Sequence, residues 1–439
     1  MKKSTKVAAL AAAALLISAP AAFAFHSGGV AECEGCHSMH NSFEGAANVT
    51  GRALAAGSGP WLLKANDQSG SCLNCHQAAD TTASSYHIST QGVEDGNTAI
   101  PVEMTPGGDF AWLRQSPTFV VRGSTNTNHG ERRGHNVIAA DFGYVADSTL
   151  SVAPGGTYPA ANLHCSSCHD PHGKYRRFAD GSIATTGLPI FNAGSYNNSK
   201  DPIAGVSAVG AYRILAGIGY QPKSLTGSYA FANTVPAAVV ASTYNRSEAT
   251  TQTGIAYGNG MSEWCANCHT AFLQNGYTSG MAGLRHPAGN NANLGAAIAA
   301  NYNSYVTSGI MTNVAANKAF STLAPFALAT ADYTVLKPQA VTAGAGVSNH
   351  AAATATDNAM CLSCHRAHAS GFESMLRYFY LNEFMTLADA SNNAIYAPAN
   401  SAQGAGLSEA AQQNAYYGRP ATAFGPQARS QCNKCHAKD

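Results

Sequence analysis

The sequence predicts a coil-rich fold with a few short helices and minimal sheet, and two observations carry that expectation. The first is composition. Of 439 residues only 11% are charged, while 43 are glycine, and alanine, serine, threonine and asparagine fill much of the rest. A polypeptide core of ordinary size is hard to assemble from such a chain. The second is the cysteine pattern: all 12 cysteines fall into one five-residue unit that occurs six times. The units are Cys33/Cys36/His37, Cys72/Cys75/His76, Cys165/Cys168/His169, Cys265/Cys268/His269, Cys361/Cys364/His365 and Cys432/Cys435/His436, numbered here motifs 1 to 6.

C-x-x-C-H is the attachment signature of c-type haem. Two thiols add across the porphyrin's vinyl groups, and the adjacent histidine ligates the iron from one face. Zinc sites, disulfides and thioredoxin-like pairs also use C-x-x-C, but none requires a histidine directly after the second cysteine. With 16 histidines in 439 residues, six such coincidences and no leftover cysteine are not a chance pattern. The expected fold is therefore a multihaem cytochrome whose core is formed by six covalently bound haems, and electron movement is its expected function.

Residues 1–24 read as a signal peptide. Lys2, Lys3 and Lys6 form a basic start, Val7 to Ile17 an apolar stretch, and Ala22-Phe23-Ala24 a small-residue cleavage site. The apolar stretch is too short to span a bilayer, and no later segment reads as a transmembrane helix. Export through the periplasm suits haem attachment. Residues 25–439 then form a single hexahaem domain, at about 69 residues per haem. Much of that chain must wrap macrocycles, so ordinary proportions of helix and strand are not expected.

Local signals along the chain are modest. Pro106-Gly107-Gly108, Pro154-Gly155-Gly156 and Asn275-Gly276 read as turns. Leu294–Tyr302 and Val314–Leu323 are weak helix candidates. Ser370-Gly371-Phe372-Glu373 resembles a capping box opening a helix over Phe372–Ala388, and a helix over Ser408–Tyr417 is expected to end at Gly418. The motifs begin 39, 93, 100, 96 and 71 residues apart, which is no fixed period.

Without the signal peptide the chain carries 22 basic and 24 acidic residues, a net charge of −2. Six haems would add about twelve propionates, against about +6 from their oxidised cores. The holoprotein is then anionic and has no basic stripe, which disfavours nucleic acid as a partner. Arg132, Arg133, Arg176 and Arg177 are candidate propionate partners.

The six motif histidines leave ten others: His26, His40, His87, His129, His135, His164, His172, His286, His350 and His368. This surplus points to bis-histidine iron, which is six-coordinate, low in potential and closed to substrate. Motifs 1, 3 and 5 extend to C-x-x-C-H-x-x-H through His40, His172 and His368. A residue three positions past the proximal ligand starts on that ligand's side of the macrocycle. It should therefore ligate a different haem and bind neighbouring haems into a close row. Motif 1 lies near the mature start and motif 6 near the end, so the row can reach both ends of the molecule. A head-to-tail contact that does not close would continue it through a filament.

Several segments resemble the outer-surface hexahaem nanowire cytochromes of metal-reducing bacteria. They are Phe25-His26-Ser27-Gly28-Gly29 through His40, Cys165 to Gly173, Trp264 to His269, Cys361 to Phe372 and Cys432 to Asp439, and the likeness extends over essentially the whole chain. The resemblance implies alternating stacked and T-shaped haem pairs and long extracellular filaments. It implies that His40 ligates the haem at Cys361/Cys364 of the next subunit. It also implies that His87, His135 and His286 are distal ligands. The candidate distal set is thus His26, His40, His87, His135, His172, His286 and His368. The expected function is delivery of electrons to extracellular acceptors such as metal oxides or electrodes, with copies of itself and other redox proteins as partners. A monomeric periplasmic or cell-surface carrier is the alternative. A multihaem oxidoreductase needs an open iron and is disfavoured, so no catalytic residues are expected.

Overall fold

The computed structural model describes residues 33–38, 42–43, 46–47, 60–78, 87–171, 176–178, 183–184, 208–209, 215–225, 227, 229–240, 247–249, 255–273, 286–304, 320–340 and 351–436. The rest of the chain, with the expected turn at Asn275-Gly276 and most of the helix candidate at Val314–Leu323, lies outside them.

Helices are short, and most are built on the cysteine motifs: α1 Cys33–Cys36, α2 Gln68–His76, α3 Cys165–Cys168, α4 Met261–Cys265, α5 Thr270–Leu273, α6 Gly295–Ser304, α7 Tyr333–Leu336, α8 Cys361–Cys364 and α9 Glu409–Ala415. Among the described residues, strands make two-stranded ribbons and one three-stranded sheet. The longest ribbon pairs Thr118–Val121 with Ser124–Thr127, antiparallel. Gln77–Ala78 runs parallel to Ser89–Thr90 and fixes the path after motif 2. The coil-rich expectation holds.

Two helix expectations are met. The helix expected from Leu294 is α6, and α9 begins at Ser408, whose Oγ accepts from Ala411 N at 3.2 Å. Beyond α9, Tyr417 and Gly418 both take left-handed backbone, which stops the helix where glycine tolerates it. The expected helix over Phe372–Ala388 is not formed. A 3-10 turn at Glu373–Met375, with Ser374 and Met375 at φ 59° and 58°, and a short strand at Leu387–Ala388 stand there instead. The Ser370 hydroxyl turns back onto Phe372 N at 3.2 Å instead of capping a helix. Downstream backbone groups are taken by motif 5: Arg377 N donates to Cys364 O at 2.7 Å, and Ser374 O accepts from His365 Nδ1 at 2.7 Å. Tertiary partners outcompete local propensity.

Side chains still pack where no motif intrudes. The main cluster joins Trp112, Phe372, Tyr378, Tyr396, Tyr416 and Phe424. Tyr396 and Tyr416 stack at 5.6 Å and 4°, and Tyr416 meets Phe424 edge-on at 5.3 Å. Each such pair adds about 1 kcal/mol beyond its buried area. The cluster lies against motif 5 through Cys364 and Leu376.

Candidate haem-attachment row

Each motif is one helical turn. The histidine N–H returns to the first cysteine's carbonyl: His169 to Cys165 at 3.0 Å, His269 to Cys265 at 3.0 Å, His365 to Cys361 at 2.9 Å and His436 to Cys432 at 2.9 Å. Positions i, i+3 and i+4 then share one face, so two thiols and one imidazole converge on a single planar group.

Five of the six motifs follow two local designs. In motifs 1, 3 and 5 a strap crosses the proximal histidine: Leu63, Leu215 and Leu376 bridge His37, His169 and His365. The residue after each leucine donates to the second cysteine's carbonyl, from Lys64 to Cys36 at 2.9 Å, Ala216 to Cys168 at 2.9 Å and Arg377 to Cys364 at 2.7 Å. Motifs 3 and 5 also share a cap. Ser167 Oγ accepts from His164 N at 2.9 Å, and Ser363 Oγ accepts from Met360 N at 3.1 Å. Motifs 2 and 4 read S-x-x-C-x-N-C-H, and their serine ties each to the motif that follows. Ser69 Oγ accepts from Cys165 N, and Ser262 Oγ accepts from Cys361 N, both at 3.0 Å. The irregular spacing of motifs hid this repeat. The shared serines and the leucine of each strap were the signal that could have revealed it.

The thiols fall into one row in sequence order. Cys36 acts electrostatically on Cys72, and Cys72 is hydrogen-bonded to Cys165. Cys168 neighbours Cys268, and Cys265 lies beside Cys361. Tyr378 Oη then reaches Cys364 Sγ at 3.4 Å and Cys432 Sγ at 4.0 Å, linking motif 5 to motif 6.

The attachment cysteines differ in exposure, and Cys75 of motif 2 stands out. It is exposed, as is Cys432 of motif 6, whereas the other described cysteines are half-buried. Helix α2 buries Ser69, Gly70, Ser71 and Leu73 toward its start, whereas Asn74 and Cys75 near its end are exposed. Thioether formation requires reach to a vinyl group rather than burial, so Cys75 stays with Cys72 in the candidate set.

Three histidine pairs have the spacing of two imidazoles on one metal. Ring centroids lie 6.0 Å apart for His135 and His269, 6.4 Å for His169 and His368, and 5.9 Å for His286 and His436. Metal–nitrogen bonds of about 2 Å on opposite sides of one ion place the centroids roughly 6 Å apart. Ring orientation agrees. The Nδ1 of His37 contacts Trp61 O at 2.9 Å, that of His269 contacts Pro154 O at 2.8 Å, that of His135 contacts Ala367 O at 2.7 Å and that of His286 contacts Pro287 O at 2.9 Å. A proton on Nδ1 for these bonds leaves the Nε2 lone pair for iron. Burial and neighbouring histidines push His135 down to about 4 and His368 to about 3, so both are neutral, as ligands must be. These residues fit haem.

The two Pro-Gly-Gly turns serve this row. A side chain at Gly156 would meet Cys268 O at 1.7 Å, and one at Gly107 would meet the His368 ring at 2.7 Å. His368 also stacks on Phe110 at 4.7 Å and 20°.

The remaining candidates divide as follows. His87 stands beside His76, its neighbour Ile88 donating to His76 O at 2.9 Å. His164 occupies the position that Met360 holds in motif 5, with Nδ1 3.1 Å from Ile138 O. His129 lies 3.3 Å from Glu131. His26, His40, His172 and His350 lie outside the described residues, as does the Cys33 side chain. Arg132 pairs with Glu373 at 3.3 Å, and buried Arg133 donates to Asn128 Oδ1 at 3.2 Å. Arg176 and Arg177 lie in a strand whose side chains are outside the described set.

No family model matches the chain. Over 444 residues, covering all of both chains, it is 61% identical to the C-type cytochrome OmcS of Geobacter sulfurreducens. Its structure matches the OmcS nanowires of that species solved by cryo-EM, with TM-score 0.84 and 60% identity over 94% of this chain and all of the other. It matches an Outer Membrane Cytochrome S filament of the same species with TM-score 0.84 and 59% identity over the same shares.

Proposed function

Since the chain belongs to the family of the c-type cytochrome OmcS, we propose that it is an exported hexahaem electron-transfer protein that polymerises head to tail into an extracellular conductive filament. Residues 1–24 direct export, and residues 25–439 are one haem-bearing domain. The observation that carries the reading is the unbroken order of motifs, each leading to the next, with paired imidazoles at three of them. Haem bound at each motif supplies one-electron iron chemistry. The chain's residues fix the spacing, close both axial positions and exclude substrate.

The pairings extend to a ligand assignment. His368 of motif 5 stands opposite His169 of motif 3, a step back of two motifs. The same step takes His172 to His37. His40 then has no earlier motif in its own chain, and the step lands on His365 of a neighbouring subunit. This agrees with the pairing that the family resemblance implies. His135 serves motif 4 and His286 serves motif 6. His26 and His87 remain for motif 2. Electrons pass to extracellular acceptors such as metal oxides, electrodes or other redox proteins.

Substitution H40A tests the assembly. Size-exclusion chromatography and negative-stain microscopy should show short particles or monomers with haem still attached. Filaments of undiminished length would refute the intersubunit role of His40, and wild-type protein that stays monomeric would favour the monomeric-carrier alternative. A high-spin iron in the wild-type protein would revive an enzymatic role.

A further inference from the structure

Buried charge separates two motifs that are otherwise built alike. Motifs 3 and 5 share the serine cap, the leucine strap and the C-x-x-C-H-x-x-H pattern. After the proximal histidine, however, motif 3 has Asp170, 5% exposed, and motif 5 has Arg366, 0% exposed. After the strap leucine, motif 3 has Ala216 and motif 5 has Arg377, also 0% exposed.

Arg377 belongs to a larger group. Its Nε donates to Leu362 O at 2.6 Å and His365 O at 3.1 Å, two carbonyls of the attachment turn itself. The Glu248 carboxylate pairs with Arg366 and, at 3.0 Å, with Arg377. Arg419 donates to Glu248 O at 3.2 Å and Thr322 Oγ1 at 3.1 Å, and is 0% exposed. Arg366 lies 3.5 Å over the Tyr417 ring. Burial pushes the Tyr257 and Tyr417 phenols up, so neither adds negative charge. The Asp109 carboxyl, itself raised by burial, is taken by Thr90 and the N–H groups of Ala111 and Glu103. Burial lowers Arg419 to about 10, still charged at neutral pH. Three guanidiniums against one carboxylate leave a net +2.

We infer that the cluster of Glu248, Arg366, Arg377 and Arg419 raises the reduction potential of the motif-5 iron above that of motif 3, giving each subunit an internal electron-attracting step. The inference rests on haem being bound at motif 5. An electron arriving there lowers the local charge by one unit, and the neighbouring iron that gives it up is oxidised in the same event. Fixed positive charge at low dielectric favours that change.

The test is a spectroelectrochemical titration of the assembled holoprotein, with haem counted by pyridine haemochrome on the same samples. Glu248→Gln takes the cluster to +3 and Arg419→Gln takes it to +1, while Arg419→Lys keeps the charge. About one sixth of the absorbance change should shift by about tenfold in its redox equilibrium, which is about 59 mV for a one-electron couple. The shift should be upward in E248Q and downward in R419Q, with R419K unmoved. No shift, or shifts of one sign in E248Q and R419Q, would overturn the inference. Should R419Q fail to fold, the nearly isosteric E248Q decides alone by rising or not rising. A wild-type haem count below six would instead strike the underlying assignment.

Discussion

Substituting Gly107 by alanine should unseat one axial histidine and leave the rest of the row intact. Gly107 has ordinary backbone geometry, so the substitution acts through volume alone. The new Cβ would lie 2.7 Å from His368 Nδ1 and 2.9 Å from Cε1. Non-bonded heavy atoms settle near 3.5 Å, so the ring must withdraw by roughly 0.8 Å. It has little freedom to slide elsewhere, because His368 N is bonded to Gly107 O at 2.7 Å and the ring stacks on Phe110. A displacement of that size is a large fraction of a metal–nitrogen bond of about 2 Å. Overpacking itself should cost about 1–3 kcal/mol of stability. The G107A holoprotein should therefore keep six haems but show one high-spin iron in low-temperature electron paramagnetic resonance. When reduced, it should bind about one carbon monoxide per six haems. H368A should give the same spectrum. A fully low-spin G107A protein that binds no carbon monoxide would refute the pairing of His368 with His169.

Removing the Ser262 hydroxyl (S262A) orphans Cys361 N, and S69A does the same to Cys165 N. Each should lose about 1–3 kcal/mol, read as a lower melting temperature with unchanged haem count. His164→Met should leave all six irons low-spin, because Met360 already fills the equivalent place, whereas His135→Met should raise the potential of one iron in a redox titration. Burial holds Lys434 down at about 8, below its ordinary 10.5. Between those values the unfolded chain binds the extra proton, so stability should rise with pH across that window. Melting temperatures at pH 7.5 and 9.5 should show this slope in the wild type and lose it in Lys434→Met.

The attachment chemistry was legible because its signature is contiguous: five residues make one helical turn and need nothing distant. The coil-rich character was legible for a related reason, since glycine-rich, charge-poor sequence cannot supply a conventional interior. The exposure of Cys75 was not legible from its motif, because it depends on which part of α2 the rest of the chain covers. The segment after Phe372 was misread because its backbone groups are consumed by His365 and Cys364, contacts invisible to local propensity. The kinship between motifs 3 and 5 was hidden by straps of different lengths, Leu215 standing far from His169 and Leu376 close to His365. The distal histidines announce themselves only as a surplus. Which motif histidine each one faces depends on the path of the whole chain, as His135 shows by standing opposite His269 across more than a hundred residues.

A density map of the assembled filament tests the central claim most directly. Six porphyrins should appear in motif order, each held by two cysteines and capped by two imidazoles, with His40 of one subunit entering the motif-5 site of its neighbour. Fewer than six porphyrins, an iron with an open face, or His40 bound within its own chain would contradict the account.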